Sequence, residues 1–389
     1  MTLVFAAVSC GIWIYLLVGR GGFWRCSESL DAASDATAGP RTWPSIVAIV
    51  PARDEAEVIA ASVTSLLRQS YPGEFSIVVV DDHSSDGTAD FAREAARLQG
   101  GHSRVTVVSA PLLPPGWTGK LWALKHGIAH VEANEAIPDF FWLSDADITY
   151  ADDALLQLAA KARAGNLALT SVMAGLRCDS LVERAAIPAF VFFFQLLYPF
   201  SRVNDRTSKI AAAAGGCMLV RRVALEKAGG IDAIRAELID DCALARRLKR
   251  QGPIWLGFSG RVTSLRPYRS FNEVRQMVSR TAYCQLGYSV SLLGLTVIAL
   301  TVTFVAPVVL ALFSNGTARV LGLASWGLMI VAFQPTLRLY RVSPAWGVVL
   351  PAIALLYLCF TVDSAVQHGR SRGGVWKGRA QAMQPMLDD

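Results

Sequence analysis

The sequence predicts an α/β domain built on a mostly parallel sheet, held between apolar helices at its two ends that seek a membrane. Three observations carry this. Through the middle of the chain, short runs of Val, Ile and Phe alternate with amphipathic stretches, the rhythm of βαβ units. Long apolar segments with almost no charge lie at both ends. Hydrophobic residues make up 53% of the 389 and charged residues 17%, against about 25% in an ordinary soluble domain, so part of the chain belongs in lipid.

At the start, Thr2–Val18 is apolar and uncharged, about long enough to span a bilayer. No Lys or Arg precedes it, whereas Arg20 and Arg25 follow. That weakens a secretory-signal reading, and by the positive-inside rule it puts the N-terminus outside and the following chain in the cytoplasm. The small, polar run Glu28–Pro40 reads as a linker. The division is therefore an anchor over 1–20, a linker over 21–43 and a domain over 44–285.

Within that domain, Ser45–Val50, Phe75–Val80, Val105–Val108 and Phe140–Leu143 read as buried strands. Glu55–Gln69, Thr88–Leu98 and Lys120–Val131 read as the helices between them. Parallel sheets bind ligands beyond the carboxyl ends of their strands, and the polar clusters fall there. The first strand runs into Pro51-Ala-Arg-Asp-Glu55, the second into Asp81-Asp-His-Ser-Ser-Asp-Gly-Thr88 and the fourth into Leu143-Ser-Asp-Ala-Asp147. Ser85 or Asp86 suits a helix cap. The adjacent carboxylates of Asp81 and Asp82 exceed what a cap needs, because they repel unless something binds them. Carboxylates so placed can accept hydrogen bonds from a nucleobase or ribose. No G-x-G-x-x-G follows the first strand, which argues against a dinucleotide fold. Asp145 and Asp147 are alternate residues, which in an extended chain point the same way and can converge on one cation. Hard divalent ions favour carboxylate and phosphate oxygens together, so the expected cofactor is Mg2+ or Mn2+ beside a diphosphate.

The apolar block Ile187–Phe200 is too short to span and has Pro188 and Pro199 near its ends. It suits either an interfacial helix or a buried core helix. Leu286–Phe313, Val320–Thr336 and Ala345–Val366 then fill a membrane region over 286–366. Arg338 and Arg341 put the second break between them in the cytoplasm. Three full crossings would nevertheless carry the tail 367–389 outside, with Arg370, Arg372, Lys377 and Arg379. Either one segment is re-entrant or interfacial, or the charge rule does not hold here. The net charge of +6 fits an anionic membrane, since no basic run interleaved with aromatics marks a nucleic-acid surface. The seven cysteines include no C-x-x-C pair, which speaks against a zinc ribbon or disulfide framework. His126 and His130 are spaced i,i+4 without nearby partners and read as two residues on a helix face.

Together these residues resemble the family 2 glycosyltransferases, which have the Rossmann-like GT-A fold. The likeness extends from Ile46 to about Arg280. It rests on Pro51-Ala-Arg-Asp-Glu55, Val80–Thr88, Gly119-Lys120 with Ala123-Leu124, Asp145-Ala-Asp147, Gly215-Gly216 ahead of Leu219, and Ile239-Asp-Asp241. The resemblance implies donor binding by Pro51, Arg53, Glu55, Asp81, Asp82, Lys120, Asp145, Gly215, Gly216 and Arg280. It implies a metal on Asp145 and Asp147, and a catalytic base at Asp241 preceded by the acidic Asp240. For Lys120 a solvated lysine at a helix start is the plain alternative, and for Asp240–Asp241 it is helix capping. Processive members carry Q-x-x-R-W, whereas this chain reads Gln276-Met-Val-Ser-Arg-Thr281, so the resemblance implies transfer of a single sugar. Pro115-Gly-Trp-Thr-Gly-Lys-Leu-Trp122, Arg280-Thr-Ala-Tyr283 and Trp376-Lys-Gly-Arg379 look like the hopene-associated branch. That implies a nucleotide-sugar donor and a hopanoid-related membrane lipid acceptor, at a bacterial inner membrane with the catalytic domain facing the cytoplasm. Polyprenyl-phosphate sugar transfer and polysaccharide synthesis remain alternatives within the class. A non-catalytic transport or scaffold protein is the alternative outside it.

Overall fold

A computed structural model describes residues 2–31, 42–134, 137–370, 375–376 and 379–380. The chain forms two compact units. One gathers the described residues of 28–176, 203–266 and 375–380, the other those of 2–27, 177–202 and 267–370. Segments 177–202 and 267–285, contiguous in sequence with the α/β domain, thus pack with the apolar helices.

The first unit holds a sheet of eight strands, besides the short pair Val375–Trp376 and Arg379–Ala380: β1 (Ile46–Ala52), β2 (Phe75–Asp81), β3 (Val105–Ser109), β4 (Phe140–Ser144), β5 (Ile148–Tyr150), β6 (Leu169–Gly175), β7 (Cys217–Arg221) and β8 (Ile254–Ser264). Their order is β3-β2-β1-β4-β7-β6-β8-β5. β1 to β4 run parallel; β7 opposes β4 and β6, β8 follows β6, and β5 opposes β8. β1 and β4 are buried at every position, which is why they read as unbroken apolar runs. β3, on the edge, is half buried. Pro51 is tolerated near the end of β1 because pairing with β4 has already stopped at Ile49↔Leu143.

The first four strands fall where the apolar runs place them. The helix expected from Glu55 starts only at Ile59. Asp54 has a positive φ of 49°, and the Glu55 N–H is spent on Thr88 Oγ1 at 2.8 Å, so the chain is still turning there. Thr88–Leu98 is helical as read, and the third helix extends over Gly119–Asn134. In that helix a Cβ at Gly127 would lie 2.5 Å from Ile49 Cγ2 and 2.9 Å from Val80 Cγ2, so only glycine lets it lie on β1 and β2. Residues at the head of the expected linker are not loose: Leu30 is buried and its N–H donates to Phe258 O at 2.8 Å. Residues 32–40 of the linker lie outside the described residues, as does most of the basic tail.

In the second unit, three described helical segments are long and apolar enough to cross a membrane: Val290–Phe313, Gly316–Leu339 and Leu350–Gly369. Thr2–Val18 is a shorter apolar helix. Val290–Phe313 contains a π-helical turn at Thr301–Val305. Two of its carbonyls are taken up by the first helix: Ser9 Oγ donates to Val302 O at 3.0 Å, and Trp13 Nε1 to Thr303 O at 2.7 Å. Apolar surroundings demand such partners for any carbonyl off the regular ladder. The block Ile187–Phe200 is partly buried against the apolar helices. Most of it lies in the helix Leu181–Leu197, opened by a Ser180–Glu183 capping box, where Ala189 and Phe192 are buried in one cluster with Trp13, Phe304 and Phe333.

Candidate active site

The carboxyl edge of the sheet collects the charged side chains, and the strand directions say why. β7 runs against β4, so its start meets the end of β4: Cys217 pairs with Ser144, and the Asp145 N–H donates to Gly216 O at 3.3 Å. β5 pairs Ile148 with Ser264, which brings the end of β8 beside Asp147. The Gly119–Asn134 helix follows the parallel strand β3, and the Asp240–Lys249 helix precedes the parallel strand β8, so both present their first turns at this edge.

At one end of the edge lie the β1 and β2 termini. The Arg53 guanidinium donates to the carbonyls of Asp82 and His83 and stands 4.0 Å from Asp82 Oδ2, tying the two strand ends together. Asp82 is fully buried, and its N–H donates to Ala52 O at 2.8 Å. Asp81 is buried as well. Its Oδ2 accepts a long 3.4 Å bond from Ser84 N–H, while its Oδ1 is buried without a hydrogen-bond partner. A buried acceptor left open costs about 1–3 kcal/mol, so Asp81 Oδ1 is free to take a donor. Asp86 does local turn work instead, accepting from Ala56 N–H and from Thr88 N–H and Oγ1.

The other end gathers carboxylates around one ammonium. Lys120 Nζ is 2.7 Å from Asp145 Oδ1 and 3.3 Å from Asp240 Oδ2, with 18% of its side chain exposed. It is therefore not a solvated lysine. Desolvation works against its charge, but Asp145 and Asp240 overcome this and hold the ammonium well above its ordinary range. Desolvation pushes the Asp145 carboxyl up, Lys120 opposes the rise, and the negative charge of Asp147 adds to it. Asp145 still exposes 34% of its side chain, so a ligand can reach it. Asp241 opens the next helix. Its Oδ2 accepts from Gly215 N–H at 3.0 Å and its Oδ1 from Cys242 N–H at 2.6 Å. Burial, then the neighbouring charge of Asp240, push the Asp241 carboxyl up to about 6. At Gly215 a Cβ would stand 3.2 Å from Lys120 Nζ and 3.4 Å from Asp241 Oδ2, so its bareness lets ammonium, base and backbone meet.

The extended backbone expected at Asp145-Ala146-Asp147 needs correcting. β4 ends at Ser144 and the chain turns through Asp145-Ala146-Asp147 before β5. Asp145 faces Lys120, whereas Asp147 Oδ2 accepts from Ser264 Oγ at 2.9 Å and Arg266 Nε at 3.3 Å. The turn is imposed by the pairing of β5 with β8, which a local alternation rule does not include. Among the described residues no group of three His, Cys, Asp or Glu forms a cage for an ion. Two hard-oxygen carboxylates that sense each other's charge nonetheless suit a Mg2+ or Mn2+ whose other ligands come from a diphosphate and water. Asp145 and Asp147 are the residues that would hold it.

The structure brings Pro51, Arg53, Glu55, Asp81, Asp82, Lys120, Asp145, Asp147, Gly215, Gly216 and Asp241 to this one edge. Arg280 belongs to the other unit. Two side chains were missed from sequence. Arg266 spans Glu55 Oε1 at 2.8 Å and Asp147 Oδ2 at 3.3 Å, and Ser264 holds the same carboxylate. The available signal was a polar Ser264-Leu-Arg266 at a strand end. It is obscured because Gly257, Gly260 and Arg261 break the apolar pattern along β8.

Residues 44–283 match the family model described as "Glycosyltransferase like family 2". Among solved structures, a mannosyltransferase from Pyrobaculum calidifontis in complex with GDP-Man and Mn2+ is similar over 95% of this chain and 99% of that one, at 17% identity and a TM-score of 0.58. Glucosyl-3-phosphoglycerate synthase from Mycobacterium tuberculosis, in complex with Mg2+ and UDP, is 18% identical over 66% of this chain and 82% of that one, with a TM-score of 0.40. TarS of S. aureus is 15% identical over 84% of this chain and 55% of that one, again at 0.40. The first likeness shows a shared fold; the other two are too remote to carry an argument. No curated protein sequence matches the chain.

Proposed function

Because the chain belongs to glycosyltransferase family 2, we propose that it is an inverting, metal-dependent transferase that moves a single sugar from a nucleotide-sugar donor to a membrane lipid, hopanoid-related by its sequence likeness. The fold is GT-A-like and the protein is a glycosyltransferase. What carries the finer reading is the edge itself: an open buried acceptor at Asp81 at one end, and Asp145, Asp240 and Asp241 around Lys120 at the other. The first suits a nucleobase or ribose donor group, the second a metal diphosphate and a proton acceptor.

Asp241 takes the proton of the acceptor hydroxyl as that oxygen attacks the anomeric carbon. Its two backbone donors fix the carboxylate plane, and a value near 6 keeps it ionised yet basic at neutral pH. A single base acting opposite the leaving diphosphate gives inversion. A divalent ion on Asp145 and Asp147 supplies charge neutralisation for that leaving group. Lys120 adds a positive charge beside it, and Arg266 with Ser264 hold Asp147 in place. The membrane-seeking helices tether the reaction to a bilayer in which a lipid hydroxyl can be presented. On this reading the protein is multi-pass in a bacterial inner membrane, with its domain on the cytoplasmic side where nucleotide sugars are made. GDP-mannose with Mn2+ is the first pair to try, since the Pyrobaculum mannosyltransferase is in complex with both.

The test is mass spectrometry of lipid extracts incubated with purified protein, Mn2+ and a panel of nucleotide sugars. A lipid heavier by one hexose unit, lost with Asp241→Asn, is expected. Polymer formation, or sugar on a polyprenyl phosphate alone, would replace the acceptor assignment. No transfer and no donor binding by a folded protein would end the catalytic reading.

A further inference from the structure

We propose that Lys120 is a built-in counter-ion that occupies Asp145 in the donor-free protein, and that a divalent cation gains this carboxylate only when a nucleoside diphosphate draws Lys120 away. The inference rests on the metal reading of Asp145 and Asp147. The observation is direct: the ammonium hydrogen-bonds Asp145 Oδ1 at 2.7 Å and pairs with Asp240 Oδ2 at 3.3 Å. Asp145, Asp147, Asp240 and Asp241 bring four carboxylates to one region, and Lys120 balances three of them: Asp145, Asp240 and Asp241. Asp147 has a separate cation in Arg266.

An ammonium and a divalent ion on one carboxylate repel each other, which weakens the hold of both. Lys120, bonded to Oδ1, therefore competes with a cation for Asp145. Asp240 stays beside the ammonium when Asp145 is given up, and a further anion is what draws it clear of an incoming cation. A diphosphate is such an anion, and the first turn of a helix, where Lys120 stands, suits phosphate oxygens. The missing Cβ at Gly215, 3.2 Å from Nζ if it were present, leaves the ammonium room in its resting place. The consequence is thermodynamic. Metal and nucleoside diphosphate bind as coupled ligands, and the coupling passes through one lysine.

The test is Mn2+ binding to the full-length protein, followed by electron paramagnetic resonance of free Mn2+, alone and with GDP or UDP, with the Mn2+–nucleotide complex in buffer subtracted. Wild type should bind Mn2+ alone weakly, and the nucleotide should tighten it by about 10- to 100-fold, the usual range for coupled sites. Lys120→Met should bind Mn2+ alone about tenfold more tightly and lose most of the coupling. Lys120→Gln, which keeps a hydrogen-bond donor, serves the same purpose should the Met variant not fold. Lys125→Met, which removes a nearby charge paired with Asp232 instead, should leave Mn2+ affinity unchanged. Unchanged Mn2+ affinity in both Lys120 variants, or an equal gain in Lys125→Met, would overturn the exchange and leave the metal site standing. Mn2+ uptake in no state of the wild-type protein would overturn the metal reading itself, and the exchange with it.

Discussion

The two ends of the carboxyl edge solve the burial of acidic groups in opposite ways. Around Asp81 and Asp82 the partners are largely backbone groups and one arginine that mostly grips carbonyls, and a single acceptor, Asp81 Oδ1, is left open. Around Asp145, Asp240 and Asp241 the partner is a full ammonium with carboxylates in excess of it. An open acceptor selects a neutral hydrogen-bond donor; an excess of carboxylate selects a cation. The difference separates recognition from chemistry within one sheet edge, and substitutions should separate them too.

The largest effect belongs to the cation end. Asp241→Asn should lower kcat by about 10³-fold while donor affinity stays within a few-fold, because general-base catalysis contributes about 10²–10⁴. Loss of donor binding in parallel, measured by calorimetry, would move Asp241 from base to binding group. Asp147→Asn should weaken Mn2+-supported donor binding by about 10- to 100-fold, the range seen when metal sites are disturbed. A donor isotherm that responds to neither Mn2+ nor this change would remove the distinction between the two ends. Next comes pH. With Asp241 raised to about 6 and active only when ionised, kcat/KM should fall about tenfold per unit below that value and level off above it. The limb should disappear in Asp241→Asn if residual turnover can be followed.

At the recognition end the effects are smaller. Asp81→Asn should cost nucleoside diphosphate affinity about tenfold with kcat nearly unchanged, the scale of one buried hydrogen bond. An equal loss in kcat would blur the two ends into one. The smallest effect on chemistry is expected from Gly127→Ala, which should destabilise the fold by about 1–3 kcal/mol through overpacking against Ile49 and Val80. Thermal melting would measure it, and an unchanged melting temperature would mean that the Gly119–Asn134 helix can shift.

Legibility followed locality. β1, β2 and β4 are readable because each is a largely buried apolar run, and the half-buried edge strand β3 because its run is rich in Val. β6, β7 and β8 are not legible, although Leu169–Gly175 and Cys217–Arg221 are also largely buried, because short apolar runs cannot be told from helix segments without their partners. The turn through Asp145-Ala146-Asp147 is unreadable for a different reason: it leads into β5, whose partner β8 lies more than a hundred residues away.

The sequence by itself determined the class of the domain, the acidic strand ends and the presence of lipid-seeking helices, since each depends on composition and spacing along a few residues. Tertiary structure alone decided that Lys120 sits on Asp145, that Arg266 holds Asp147 and that Gly215 buttresses Asp241. Those contacts join residues far apart in the chain. Their energies come from burial and charge in three dimensions, quantities that no local pattern contains.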